Sequence, residues 1–182
     1  MVLLLIPGAS WAFYKPVRVL VPELNGATCV SDAICMEDVP RYQEASALYG
    51  AALEFVNATV GEIEVPPRAV FCSTQDCFES FGFDRAVAHT VGVSGMSGIV
   101  VGPRGWKGHF MRHEIIHHLQ AERLGVFEQW CSPEWFKEGM AYALSQDPRP
   151  VLSEPWQGYR SRFGEWFQSV GRKHLWVEAA KL

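Results

Sequence analysis

The chain has no block of Lys or Arg, and 16 basic residues against 20 acidic ones leave a formal net charge of −4. Such a surface offers no electrostatic footprint for a phosphate backbone, so no nucleic-acid partner is expected. Charged residues are also sparse. At 20% charged and 48% hydrophobic, the 182 residues suit one globular domain with a packed core, not a disordered chain. No internal repeat and no low-complexity tract divides the sequence. The apolar run at the N-terminus falls short of the roughly 20 residues that a straight membrane-spanning helix needs.

That run, Met1 to Phe13, carries no charged side chain and is followed by Lys15 and Arg18. It resembles the apolar region of a signal peptide, with Ser10 and Ala12 as the small residues before a cut, although no basic residue precedes it. An uncleaved anchor is the competing expectation, and a buried N-terminal strand is the bland one. Residues 1–22 are thus expected to be a signal or membrane anchor with a linker, and 23–182 a single domain in an extracytoplasmic place such as the cell envelope. Association with a membrane would run through the N-terminus. The five cysteines agree with export. Cys29/Cys35 and Cys72/Cys77 are close pairs in loop-like segments, and in an oxidising compartment they would close two short loops and leave Cys131 unpaired. Free thiols and a structural zinc site are the alternatives.

Periodicity places the elements. Val17–Pro22 reads as a short strand or linker, and 23–40 as an irregular loop. Tyr42, Ala45, Leu48, Tyr49, Ala52, Leu53 and Val56 recur at helical spacing, which predicts a helix over 41–57 ending near Gly61. Strands are predicted at 68–72, 86–93 and 99–101, the last two as an antiparallel hairpin because no crossover fits between them. A helix from Trp106 or Lys107 to Leu124 should stop at Gly125. Another should follow Ser132 as its cap and Pro133 in its first turn, running to Leu144. Residues 156–170 predict a third helix of mixed polarity, and 176–182 a final short turn or helix.

Chemistry concentrates in the middle of the 106–124 helix. His113, Glu114 and His117 form H-E-x-x-H. Residues four apart share a helical face, so His113 and His117 can grip one metal ion while Glu114 stands ready to accept a proton from water. His118 is turned about 100° from His117 and reads as a hydrogen-bonded core residue, not a ligand. A hydrolytic zinc site wants a third protein ligand, and Glu138 on the next helix can supply it if that helix folds back. Gly139, costly inside a helix, suggests close packing against the histidine helix or the metal. His89 and His109 read as structural or exposed, while Arg160 and Arg162 could approach the site from the 156–170 helix or simply form an exposed helix face.

H-E-x-x-H followed by Trp135, Glu138, Gly139 and Ala141 in a W-x-x-E-G-x-A helix resembles the gluzincin metallopeptidases, in particular their compact members, the minigluzincins. The match covers roughly residues 85–145. The resemblance implies an α+β, zincin-like fold: a small antiparallel or mixed sheet, an edge strand over the active-site helix, and a following glutamate-bearing helix. It implies one Zn2+ ion held by His113, His117 and Glu138, Glu114 as general base, and a peptide or protein substrate. A downstream Tyr or His serves such enzymes as oxyanion stabiliser; Tyr142, Tyr159 and His174 are the candidates. Gly98, Ile99, Val100 and Val101 are the candidate edge strand for holding an extended peptide. The sequence departs from the aminopeptidase members, since Gly95-Met96-Ser97-Gly98 carries no acid where they bind a free amine. An endopeptidase-like hydrolase is the leading expectation. A catalytically inactive zincin-fold protein serving binding or envelope assembly is the alternative, and the intact Glu114 favours the enzyme.

Overall fold

The computed structural model describes residues 15–84, 87–93 and 96–182. The segment before residue 15, which carries the signal-or-anchor expectation, lies outside the described residues. Among the described residues the chain is mixed α+β, with five strands in one sheet and eight α-helices: α1 (Lys15–Leu20), β1 (Thr28–Cys29), β2 (Ile34–Met36), α2 (Tyr42–Thr59), β3 (Arg68–Phe71), α3 (Gln75–Ser80), β4 (Ala88–Val93), β5 (Met96–Val101), α4 (Gly108–Leu124), α5 (Val126–Cys131), α6 (Glu134–Leu144), α7 (Trp156–Val170) and α8 (Leu175–Ala179). None of these helices is long and apolar enough to cross a membrane.

The sheet order is β1-β2-β3-β5-β4. β2, β3 and β5 run parallel, while β1 and β4 close the two sides antiparallel. The expected hairpin is therefore present, with Thr90 opposite Ile99. The expected edge strand is not. Gly98–Val101 lies inside the sheet, bonded to β3 on one side and β4 on the other. β4 is the outer strand on that side. The misplacement has a simple cause: an uninterrupted I-V-V run is the signature of a strand covered on both faces.

Alternation along the strands sorts two cores. Ile34, Met36, Ala69, Phe71, Ile99 and Val101 face one layer, made by α2, α4, α6 and α7. Cys35, Val70, Cys72 and Val100 face the other, with Val19, Phe78, Phe81 and Phe83. Fully burying a side chain such as Phe71 or Ile99 stabilises the fold by roughly 1.5–3 kcal/mol. Val17–Pro22 is thus mostly helix, not strand: α1 lays Val19 across the outer face, against Gly98, whose missing side chain makes the room.

The loop expected over 23–40 holds β1 and β2, joined by a disulfide between Cys29 and Cys35. A second disulfide links Cys72 and Cys77, and Cys131 is free and exposed. Disulfides of this kind belong to an oxidising compartment. The second one spans the start of α3, a helix that begins inside the segment expected to be loop-like around Cys72 and Cys77. Thr74 caps it, its hydroxyl accepting from the Cys77 N–H at 3.2 Å. The Glu37 carboxylate accepts from the N–H groups of Ser73 and Thr74, both at 2.8 Å, and fixes the approach.

Candidate metal centre

α4 forms because its buried stripe, Met111, Ile115, Ile116 and Leu119, fits the layer beneath the sheet. Gly125, at φ 88°, ends it with an N–H bond to Ala121 O at 2.9 Å. The expected reversal then occurs, but through the short helix α5 and not a bare turn. Ser132 does not cap α6. Its hydroxyl donates back to Glu128 O at 2.7 Å, closing α5, and Pro133 takes the capping position with extended backbone. Phe136, Met140 and Ala141 bury one side of α6 and leave Glu138 on the flank facing α4.

There the three ligand candidates meet. Nε2 of His113 lies 3.5 Å from one Glu138 carboxylate oxygen, and Nε2 of His117 lies 3.5 Å from the other. The two Nε2 atoms are 3.1 Å apart. Donors bonded tetrahedrally to one zinc ion stand about 3.4 Å from each other, given bonds of about 2.1 Å. One donor atom from each residue falls within 4.8 Å of the others, so the group can hold a metal ion.

Neighbours orient the donors. Nδ1–H of His117 donates to Gln120 Oε1 at 2.9 Å, and Gln120 Nε2 donates to Lys137 O at 3.0 Å. The amide is thereby turned so that His117 carries its proton on Nδ1 and offers a bare Nε2 to the cluster. Gln129 of α5 adds a bond from Nε2 to His117 O at 2.7 Å. Burial and the neighbouring His113 hold His117 below its ordinary pKa, as a ligand that must stay neutral requires. Burial raises the Glu138 pKa, but a hydrogen bond from His113 and the nearby imidazoles of His117, His113 and His89 outweigh it, and the carboxyl is held below its ordinary value.

Glu114 is buried at 7% exposure, and its Oε2 sits 2.7 Å from the Thr90 hydroxyl on β4. Thr90 also reaches Glu114 O at 2.9 Å, so strand and helix are tied at the residue where a base is wanted. Tyr142, one turn beyond Glu138, packs its ring edge-to-face on His113 at 4.5 Å. Burial and the Glu138 charge push its hydroxyl pKa up, while Arg149, in bidentate contact with Asp147, partly opposes them.

The other candidates are not drawn in. Tyr159 packs on Trp156, whose ring stands 5.9 Å from that of Tyr142, one aromatic layer away. His174 is exposed on the turn after α7, against Val170 O. His118 is buried between Ser97 and Val65 O, as expected of a residue that is not a ligand. His89 is exposed against Phe83, and His109 is half-buried on Phe110. Arg160 ties α7 to the carbonyls of Arg149 and Pro150, and Arg162 lies over Trp135. The space at Gly139 is taken by α7, not by α4 or a metal: a Cβ there would stand 2.3 Å from Tyr159 O.

Thr90, Gln129 and the Asp147–Arg149 pair escaped the sequence reading. Gln120 was visible on the histidine face, three residues after His117, but without a role. No family model matches the chain, and neither a curated protein nor a solved structure matches it.

Proposed function

We propose that the protein is a zinc-dependent metallopeptidase-like hydrolase of the zincin type, acting on peptide or protein substrates in an extracytoplasmic compartment. The observation that carries this reading is the convergence of His113, His117 and Glu138 beside a buried Glu114 fixed by Thr90. Two imidazoles and a carboxylate are a donor set that suits zinc and leaves a coordination position for chemistry. When bound, the ion would supply Lewis-acid polarisation of a carbonyl and lower the pKa of water. Glu114 takes the proton from the attacking water and returns it to the leaving amine. Tyr142, kept protonated by its surroundings, donates to the oxyanion that develops on the scissile carbonyl. An extended peptide pairs with the outer side of β4, next to Thr90, since β5 lies inside the sheet. The two disulfides support a place outside the reducing cytoplasm.

Zinc content of the purified protein and its His113→Ala and Glu138→Ala variants tests the ligand set: near-stoichiometric metal should fall sharply in both. A peptide-library assay with Glu114→Gln tests the base. Equal turnover in the variant and the wild type would remove Glu114 from that role.

A further inference from the structure

A concavity opens past the C-terminal half of α4, where β5 begins. It encloses about 1220 Å3, and none of His113, His117 and Glu138 lines it. That is more room than the roughly 300–1,000 Å3 of small-molecule sites, and it suits a stretch of polymer. Its floor is apolar: Val19 and Leu20 of α1, Pro66 and Pro67, and Val91 of β4. Its wall is α5, which holds Phe127 at 69% and Trp130 at 75% exposure, with ring centroids 6.4 Å apart. Large aromatics held in water on one short helix mark a surface that binds something.

The rim decides what. Asp32, Glu64, Glu122 and Glu128 line the concavity with one arginine, Arg68, which is turned onto the carbonyls of Asp32 and Leu20; Glu122 accepts from the N–H groups of Glu64 and Val65, and Glu64 stands 4.0 Å from the Arg123 guanidinium outside the lining. Glu64, Asp32 and Glu128 are exposed. Such a rim repels nucleic acid and anionic lipid. It also disfavours a second copy of a chain whose own net charge is −4. We propose that this groove docks a polypeptide segment carrying both apolar and basic side chains, the apolar ones on Phe127 and Trp130 and the Lys or Arg ones on the acidic rim.

The groove and the metal-capable cluster share two elements. His118 lines the groove next to His117, and Trp130 lines it next to Gln129, whose side chain holds His117 O. The groove thus adjoins the cluster along α4 and α5 without containing it, and selection among substrates would be made away from the bond that is cut. Only the description of that segment as substrate rests on the peptidase reading; the docking itself needs no metal.

The test uses fluorescence anisotropy of labelled synthetic peptides on the full chain bearing Glu114→Gln, with and without a chelator. The Leu/Lys peptide should bind about tenfold more tightly than a Leu/Glu or a Ser/Lys peptide of equal length. Trp130→Ala should remove most of that gain, and Glu64→Lys with Glu128→Lys should reverse the charge preference. Chelation should change none of this. Equal affinity for the three peptides, or indifference to Trp130→Ala, overturns the proposal. So does self-association that Trp130→Ala abolishes, which would give the groove to a second copy. Selective docking without any hydrolysis by the wild type would sink the peptidase reading alone, and hydrolysis without selective docking would sink this one alone.

Discussion

The single hydroxyl proton of Thr90 on β4 is shared by two acceptors of Glu114 on α4, the carboxylate at 2.7 Å and the backbone oxygen at 2.9 Å. The strand therefore aims the carboxylate as well as covering it. A hydrogen bond to a charged group contributes about 1.5–3 kcal/mol. Thr90→Val should lower kcat about ten- to hundredfold while zinc content and KM stay near wild type. Thr90→Ser should restore most of the loss. A Thr90→Val protein with full turnover would show that Glu114 needs no such support.

Gln120 is fully buried and holds the proton-bearing nitrogen of His117. Outer partners of this kind are worth about 10–100-fold in metal affinity. Gln120→Leu should weaken zinc binding by that order in a competition titration. Gln120→Glu, which keeps the acceptor, should weaken it less. The ordering of the two variants is the readout, since a purely packing role would favour the leucine.

Gly139→Ala should destabilise the fold although it improves helix propensity by about 1 kcal/mol. The new methyl would meet Tyr159 O at 2.3 Å and the Phe163 Cβ at 2.8 Å, and α6 would have to leave α7. Overpacking of this sort costs about 1–3 kcal/mol. Gly164→Ala on α7, where nothing lies within 4 Å, is the control and should raise the melting temperature or leave it unchanged.

Glu37 predicts the acid limb of the stability profile. Burial pushes its pKa up, but the hydroxyl of Thr74 and the N–H groups of Thr74 and Ser73 outweigh it and hold it below the ordinary value. A depressed carboxylate stabilises the fold at pH above its unfolded pKa of about 4.3, and that contribution is lost as pH falls through the folded value. Glu37→Gln should flatten this limb in urea titrations run at several pH values. Tyr49 acts at the other end. Buried and bonded to Pro67 O, its hydroxyl is pushed up to about 12. Its contribution is complete below the ordinary tyrosine value and is lost as pH climbs from there through the folded one, so Tyr49→Phe should remove that alkaline loss.

What the sequence disclosed follows from periodicity and punctuation. The 156–170 helix, the 41–57 helix and the stop at Gly125 were legible because apolar spacing and a single glycine carry them locally. The hairpin partner of β5 was legible from the short connection, but its parallel pairing with β3 was not, since an I-V-V run states burial and not neighbours. α3 was hidden because its six residues are held from outside, by Glu37 and a disulfide. In the site, H-E-x-x-H and Glu138 could be read from spacing on helices. Thr90 could not, because the strand carrying it meets α4 only through the folded sheet, and one threonine in a β-branched run looks like propensity alone.

The empty place at residue 139 reaches further than packing. The lateral position of α6, and with it the carboxylate of Glu138, is set by contact with α7. Glu138 therefore stands beside His113 and His117 by virtue of folding itself. An ion arriving there would order little that is still loose, so affinity should change steeply with any shift of α7, even one made far from the three donors. The ion would in turn stabilise the fold only by mass action, to the extent that its concentration exceeds its dissociation constant. Removing it should lower the melting temperature and leave one cooperative unfolding step.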